Sequence, residues 1–186
     1  MREYFRVGVS GLAKVGKGKN CEELARLLSL KFASAGGCFR AVARQRGFGD
    51  DYMKLEELAI TDPSVDREVD AFVVKFAREN PRCLIEGRRV VHVMRQAFYL
   101  DASILMTCRL PVRTARAANV EGTSRAEASR RIKKREAAAN ERYKILYGVS
   151  LWSMMEPTNF DFKINTSNQT PEQSLVKMLE FLRPRS

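Results

Sequence analysis

The stretch Tyr4-Phe5-Arg6-Val7-Gly8-Val9-Ser10-Gly11-Leu12-Ala13-Lys14-Val15-Gly16-Lys17-Gly18-Lys19 decides the fold class of this chain. Residues 4–9 are mostly apolar and predict a buried strand. The residues from Asn20 to Phe32 predict an amphipathic helix with Asn20 and Glu23 as its capping box. A glycine-rich turn between a strand and a helix suits phosphate binding, because backbone N–H groups and the helix N-terminus face the anion. The sequence therefore predicts an anion site directly after the first strand.

The spacing of glycines and lysine in this turn matches a phosphate-binding motif. Gly11 followed by Gly16-Lys17-Gly18 satisfies the pattern Gly-x-x-x-x-Gly-Lys, in which the lysine supplies a point charge to the phosphates. The last glycine stands where a Ser or Thr hydroxyl would bind Mg²⁺. A shifted frame, Gly18-Lys19-Asn20, puts Ala13 in the place of the first glycine. Either frame keeps a lysine and lacks the magnesium ligand.

The chain is strongly basic, and its charge is concentrated in one segment. Its 186 residues carry a formal net charge of +11 at pH 7, with a sequence pI near 9.8. Between Arg109 and Tyr147 there are eleven Lys or Arg residues and four Asp or Glu residues, a net charge of +7. This charge predicts an anionic partner: a nucleotide, a nucleic acid or an acidic surface.

Length and composition predict a single domain that spans residues 1–186. Apolar runs stay below the roughly 18 residues of a membrane helix, and no apolar signal region precedes the first strand. We therefore expect an intracellular, cytoplasmic protein without a membrane partner. The four cysteines lack metal-ligand spacing and are expected to be buried thiols. His92 is the single histidine, which disfavours histidine-based zinc or triad chemistry.

Short apolar runs alternate with longer segments of helical periodicity. Strands are predicted at residues 4–9, 83–85, 103–108 and 160–164, with a weaker candidate at 30–35. Helices are predicted at residues 41–46, 51–59, 65–78, 90–99, 111–119, 124–147 and 171–182, with a break at Thr61-Asp62-Pro63-Ser64. This alternation predicts an α/β fold with a parallel sheet covered on both faces. Because ligands of such sheets bind at the carboxyl ends of the strands, the glycine-rich turn and Glu86-Gly87-Arg88 should face one crevice.

Several short motifs follow one another in a defined order along the chain. They are Ser34-Ala35-Gly36, Phe39-Arg40, Arg46-Gly47, Asp62-Pro63, Asp66-Arg67-Glu68-Val69-Asp70, Ile85-Glu86-Gly87-Arg88, Arg135-Glu136, Arg142-Tyr143 and Tyr147-Gly148. In this order and spacing the chain resembles the short, archaeal-type cytidylate kinases, which are nucleoside monophosphate (NMP) kinases. The resemblance covers nearly the whole length, and the glycine-rich turn is its poorest match.

The resemblance implies a P-loop NTPase-type fold with a parallel sheet of about five strands, a helical NMP-binding insertion near residues 34–80 and a basic helical lid near residues 113–135. It also implies phosphoryl transfer from ATP to CMP or dCMP with Mg²⁺. The implied catalytic residues are Lys17, Arg135 and Arg142, and the implied ATP-binding residues are Gly11, Gly16, Lys17, Gly18 and Lys19. The implied acceptor-binding residues are Ser34, Arg40, Asp66, Arg67, Asp70, Glu86 and Arg88.

The arginines in this set have a physical rationale of their own. A planar guanidinium binds phosphate in a bidentate manner and stays charged, which suits phosphoryl transfer. Arg135 and Arg142 are seven residues apart, close to two helical turns, so one helix face can present both to a polyphosphate. Two positions depart from the family pattern: Val120 stands where an arginine begins the lid, and Ala139 where an acid lies between the two helix arginines.

Three functions agree with these observations. The first is a cytidylate-kinase-like phosphotransferase, with weak activity if the departures matter. The second is a catalytically inactive kinase-fold protein that binds RNA or a ribonucleoprotein assembly, for example the ribosome, through its basic segment. The third is a kinase for another acceptor. The surviving cations favour the first, whereas charge alone does not separate it from the second because lids of this family are also basic.

Overall fold

A computed structural model of the chain describes residues 4–49 and 52–183. Within those residues five strands form one sheet: β1 (Phe5–Gly11), β2 (Lys31–Ser34), β3 (Arg82–Gly87), β4 (Ala102–Thr107) and β5 (Phe162–Asn165). Every pair of neighbours is parallel, and the order is β2-β3-β1-β4-β5. The central strand β1 pairs with both β3 and β4, with Val7 opposite Leu84 and Ala102. The predicted parallel sheet is confirmed, and it includes the weaker candidate strand as β2.

The helices occupy the segments between and after these strands. They are α1 (Lys17–Leu27), α2 (Ala35–Gln45), α3 (Tyr52–Thr61), α4 (Ser64–Glu79), α5 (Val90–Ala97), α6 (Leu110–Glu121), α7 (Arg125–Tyr147), α8 (Leu151–Met154) and α9 (Pro171–Leu182), with a short 3-10 turn at Pro157–Asn159. Within the described segments, no helix combines the length and apolarity needed to cross a membrane.

Helices cover both faces of the sheet because successive strand residues point to opposite sides. On β3, Leu84 belongs to a core formed with α1 and α9, whereas its neighbour Ile85 belongs to a second core formed with α4 and α5. On β4, Ile104 and Leu105 divide between the two cores in the same way. Burial on both faces explains why these strands are continuously apolar rather than alternating.

The first helix begins at Lys17, three residues before the predicted start at Asn20. Gly16 precedes it with a φ of 99°, and no side chain caps the helix. A positive φ is accessible to glycine without steric cost, so the chain turns directly from the loop into the helix. Asn20 is buried inside α1, and the predicted capping box of Asn20 and Glu23 is therefore wrong.

The second helix was also predicted too late. It begins at Ala35 because the Ser34 Oγ accepts a hydrogen bond from the Gly37 N–H at 3.1 Å and caps it. The break between α3 and α4 is confirmed, since α3 ends at Thr61 and α4 begins at Ser64. Asp51, the predicted start of α3, lies outside the described residues. The short helix α8 was not predicted.

Two helical segments lie above the strand ends. Helices α2, α3 and α4 connect β2 to β3 and share a small core that includes Val42, Leu55 and Val65. Helices α6 and α7 lie in the connection from β4 to β5 and form a hairpin whose turn contains Gly122, and α7 contacts α3. These are the segments in which the NMP-binding insertion and the lid were expected, and they meet directly over the end of the sheet.

Candidate active site

A cavity of about 580 Å³ lies at the carboxyl ends of β1, β2 and β3. All of the site residues predicted from the sequence line it except Arg67 and Asp70: Gly11, Gly16, Lys17, Gly18, Lys19, Ser34, Arg40, Asp66, Glu86, Arg88, Arg135 and Arg142. Lysine and arginine outnumber carboxylates two to one among the lining residues. The predicted crevice therefore exists, and its charge favours an anionic ligand.

The glycine-rich loop is shaped by two positions at which only glycine fits. A Cβ added at Gly11 would lie 2.5 Å from the Met106 carbonyl oxygen on the neighbouring strand. Gly16, with its φ of 99°, ends the loop at the N-terminus of α1. Because no side chain caps α1, the first amides of the helix are left to accept an anion as their hydrogen-bond partner.

Side chains behind the loop hold its carbonyl oxygens. The Arg116 Nη1 donates to the carbonyls of Lys14 and Val15 at 3.3 and 3.2 Å. The Thr166 Oγ1 donates to the Val15 carbonyl at 2.7 Å, and the Arg113 Nη1 donates to that of Ala13 at 3.4 Å. In a trans peptide the N–H points away from the C=O. Because these carbonyls face the arginines of α6, the N–H groups of the residues that follow them point away from α6.

Lys17, the first residue of α1, is the lysine of the motif that begins at Gly11, and it is the loop lysine of this site. Its Nζ donates to the carbonyls of Gly11 and Leu12 at 2.8 and 2.9 Å and lies 4.0 Å from the Glu86 carboxylate. Burial lowers the pKa of Lys17, although Glu86 opposes this shift. Lys19 is exposed on α1. The geometry thus favours the frame that begins at Gly11 over the shifted frame.

Ser34 and Glu86 form the floor of the cavity beside this lysine. The Ser34 Oγ donates a hydrogen bond to the Glu86 Oε1 while it caps α2. Glu86 is buried at 7% exposure, at the end of β3. Ser34 therefore positions the Glu86 carboxylate towards the loop lysine. Arg40, by contrast, lies on α2 and is exposed at the rim of the cavity.

Arg88 and Arg135 share one carboxylate that the sequence did not predict as part of the site. The Glu56 Oε1 on α3 lies 2.6 Å from the Arg135 Nη2 and 3.7 Å from the Arg88 Nη2. The side chains of Arg88, Arg135 and Glu56 are only 15%, 20% and 11% exposed. These contacts connect β3, α3 and α7 across the cavity.

Arg142 belongs to a buried network centred on Asp66. The Arg142 Nε donates to the Asp66 Oδ2 at 2.5 Å, and the other carboxylate oxygen lies 2.9 Å from the Arg89 Nη1. Arg89 also lies 2.8 Å from Asp70, which accepts a hydrogen bond from Tyr147. Burial raises the pKa of Asp70, although Arg89 opposes this shift. Asp70 therefore supports the site through Arg89 rather than by lining the cavity.

One nitrogen in this network remains available to a ligand. Among the described residues, the Arg142 Nη1 is buried and makes no hydrogen bond. A buried donor left unsatisfied costs about 1–3 kcal/mol. Because Arg142 lines the cavity, an anion bound there would supply the missing acceptor.

The remaining predicted positions lie away from the cavity. Arg67 is exposed on α4 and does not line it. Ala139 is fully buried in an apolar cluster with Tyr143 and Leu151, so an acid at this position would sit among apolar side chains. Val120 is 76% exposed near the end of α6.

Sequence reasoning missed Glu56 and Arg89. Arg89 directly follows the predicted Arg88, and its position after a buried strand was the available signal. Glu56 stands beside Glu57 on α3, and the burial of Leu55 and Ala59 on that helix places it near the buried side. The partners of both residues lie far away in sequence, so no local pattern revealed the ion pairs.

The loop fits nucleotide phosphates better than it fits their metal ion. Gly11, Gly16 and Lys17 provide the backbone and charge that phosphates require. Gly18 offers no hydroxyl, and within the described residues no three His, Cys, Asp or Glu side chains come together as a metal site. Mg²⁺ in nucleotide sites keeps several waters and takes few protein ligands. Glu86 is the nearest carboxylate to the loop lysine and the side chain suited to orient a water of such an ion.

These features define a P-loop kinase fold. The shikimate kinase of Bacteroides thetaiotaomicron superimposes with a TM-score of 0.61, at 13% identity, over 96% of this chain and 98% of that enzyme. At this identity the likeness shows the fold alone.

The sequence comparisons are more specific. The Cytidylate kinase-like family matches residues 6–168, and the chain belongs to this family. It is 35% identical to the cytidylate kinase of Pyrococcus abyssi over 167 residues, which cover 89% of this chain and 87% of that protein. It is 34% identical to the cytidylate kinase of Ignicoccus hospitalis over 176 residues, which cover 93% and 98%. Family and fold together support a nucleotide kinase.

Proposed function

We propose that this protein transfers a phosphoryl group from ATP to CMP or dCMP. The observation that carries the proposal is the convergence of Lys17, Arg88, Arg135 and Arg142 on one cavity beside the glycine-rich loop. These residues come from the start of α1, the end of β3 and two turns of α7, and only the fold brings them together. The relatives named cytidylate kinase support CMP as the acceptor.

The donor side of the site is the glycine-rich loop. Amides of residues 16–19 and the Lys17 ammonium bind the phosphates of ATP, and the lysine exchanges the carbonyls of Gly11 and Leu12 for phosphate oxygens. Bound Mg²⁺ would neutralise charge on those oxygens. The ordinary hydroxyl ligand is absent at Gly18, so we expect the protein to hold this ion weakly.

The acceptor side is formed by α2, α4 and the end of β3. Arg40 and Arg88 bind the monophosphate, while Ser34 and Glu86 border the acceptor opposite the loop. Asp66 lines the cavity and holds Arg142, and Asp70 acts through Arg89. Arg67 remains a predicted contact of the acceptor nucleotide, and it would reach the cavity only after its side chain or α4 changed position.

The chemistry required of this chain is positioning and charge neutralisation. Phosphoryl transfer needs little covalent participation by the protein. Arg135 and Arg142 project from one face of α7 into the cavity, where they stabilise negative charge on the transferring group. One lost contact of this kind lowers the rate by about 10²–10³-fold, so the absence of the hydroxyl at position 18 predicts a slow kinase.

A coupled assay with ATP, Mg²⁺ and CMP, dCMP, UMP or AMP tests the proposal. We expect turnover with CMP and dCMP, and about 10²–10³-fold lower kcat/KM in Arg88→Ala. The matched control is Arg78→Ala, since Arg78 is an exposed arginine on α4 away from the cavity. Absence of turnover with all four acceptors at high protein concentration, or an unchanged Arg88→Ala variant, would refute the assignment.

A second candidate is a non-catalytic protein that binds RNA or a ribonucleoprotein assembly. The observation in its favour is the exposed side of α7, which carries Arg125, Arg130, Arg131, Lys133 and Lys134. Other cations of the basic segment are already engaged inside the molecule, as Arg113 is with Glu136. RNA binding through the exposed group would weaken steeply with salt. RNA affinity that is insensitive to salt would exclude this candidate.

A further inference from the structure

The carboxylate of Glu56 occupies the position between two arginines that the proposed function assigns to phosphate. Its Oε1 lies 2.6 Å from the Arg135 Nη2 and 3.7 Å from the Arg88 Nη2. Glu56 lines the same cavity as the loop lysine, and its side chain is 11% exposed. A single oxygen therefore faces both guanidinium groups in a site largely shielded from water.

Glu56 is a charged partner in this position. Burial raises the pKa of Glu56, but Arg88 and Arg135 outweigh it, and the pKa lies below its ordinary value. The side chain is therefore an anion at neutral pH. It satisfies the two arginines much as a phosphate oxygen would, because both groups accept charge-assisted hydrogen bonds from guanidinium.

We propose that Glu56 competes with the phosphate groups of bound nucleotides for Arg88 and Arg135 and must leave them when the acceptor binds. This inference rests on the proposed function, since that function assigns Arg88 to the acceptor monophosphate and Arg135 to the transferring phosphoryl group. Glu56 thereby sets the affinity of the acceptor site, and it does so from α3, a helix of the segment expected to be the NMP-binding insertion.

Simultaneous binding of Glu56 and phosphate at this position is disfavoured by charge. Two anions a few ångströms apart in a shielded cavity repel each other strongly, since the effective dielectric is far below that of water. The neighbours Leu55 and Ala59 are fully buried and anchor α3, so the backbone keeps the Glu56 Cα near the cavity. Displacement therefore requires rotation of the Glu56 side chain or movement of α3 together with its core.

The same contact joins the insertion to the lid. Glu56 lies on α3 and Arg135 on α7, so the ion pair holds the two segments together in the absence of ligand. Phosphate binding would replace this direct pair by a bridge in which both segments contact the ligand. The two roles are connected, because one carboxylate both neutralises the arginines and holds the helices.

The test compares Glu56→Gln with Glu57→Gln by calorimetric titration of CMP and, separately, of inorganic pyrophosphate. Glutamine keeps the shape of Glu56 and removes its charge. Glu57 is exposed, lies on the same helix and does not line this cavity, so its variant controls for overall charge. Glu56→Asp, which keeps the charge, and a thermal melt of each variant control for folding.

We expect Glu56→Gln to bind both anions at least tenfold more tightly than the parent and Glu57→Gln to bind them unchanged. Equal affinity of Glu56→Gln and the parent would show that the ion pair only holds the helices, and weaker affinity would show that Glu56 orients the arginines; either result overturns the inference. If CMP binds to no variant while pyrophosphate binds more tightly to Glu56→Gln, the inference stands and the proposed acceptor fails. If CMP binds to the parent and to Glu56→Gln equally, the acceptor stands and the inference fails.

Discussion

Restoring a hydroxyl at position 18 tests whether the altered loop limits catalysis. Gly18 lies in the first turn of α1 and lines the cavity, and a Cβ added to it meets no atom within 4 Å. Gly18→Ser therefore fits without rearrangement. The hydroxyl would stand next to Lys17, in the position from which P-loop enzymes bind Mg²⁺.

The structure separates the effect on stability from the effect on activity. Serine is favoured over glycine inside a helix by about 0.5 kcal/mol. For a chain of this length that corresponds to an increase of roughly 1–2 °C in Tm. By contrast, one restored contact to developing charge is expected to raise kcat/KM about 10²-fold.

The assay measures kcat/KM for CMP phosphorylation as a function of Mg²⁺ concentration in the parent, Gly18→Ser and Gly18→Ala. Alanine supplies the backbone effect without the oxygen, so we expect both variants to gain Tm and only the serine variant to gain activity. We also expect its half-saturating Mg²⁺ concentration to fall. Equal activity of the serine and alanine variants across all Mg²⁺ concentrations would refute the view that the missing hydroxyl limits the reaction.

Three further predictions concern stability. Lys14 has a φ of 64°, a backbone conformation that is costly for any residue with a Cβ. We therefore expect the free energy of unfolding, measured by urea titration, to be about 1 kcal/mol higher for Lys14→Gly than for Lys14→Ala. Arg89→Met leaves the buried Asp66 and Asp70 without a shared partner and should cost about 3–5 kcal/mol by the same measurement. The pKa of Glu56 lies below its ordinary value of 4.5 because two neighbouring arginines outweigh burial. Ionised Glu56 therefore contributes to the stability of the fold above pH 4.5, and this contribution is lost on acidification. The stability difference between the parent and Glu56→Gln should accordingly shrink as pH falls below 4.5, and a constant difference would contradict this.

Local patterns predicted the strands and the phosphate-binding turn because their signals are local. Apolar runs identified all five strands, and the spacing of Gly11, Gly16 and Lys17 identified the loop. The helix starts were less predictable. Gly16 begins α1 by its backbone conformation alone, and Gly36 with Gly37 concealed the first turns of the helix that Ser34 caps.

The ion pairs of the site could not be predicted because they are not local. Asp66 and Arg142 are 76 residues apart, and Glu56 and Arg135 are 79 apart. Only the fold brings α3 and α4 against α7, and nothing in the sequence near Glu56 indicates which arginine it meets. Of the arginines implied by family resemblance, Arg40, Arg88, Arg135 and Arg142 line the cavity and Arg67 does not, and the resemblance did not indicate the carboxylate that Arg88 and Arg135 share.

Several cations of the cavity already have carboxylate partners, which changes what the basic composition implies for binding. Among the pairs that line it are Lys17 with Glu86, Arg135 with Glu56 and Arg142 with Asp66. A ligand that displaces a buried partner must supply more interaction than it removes, since a buried charge without a partner costs several kcal/mol. A phosphate with two charges and several acceptor oxygens meets this requirement at two arginines at once, whereas a small monovalent anion does not. We therefore expect the internal carboxylates to make the cavity selective for multiply charged phosphates, although the net charge of +11 alone would predict attraction to any anion.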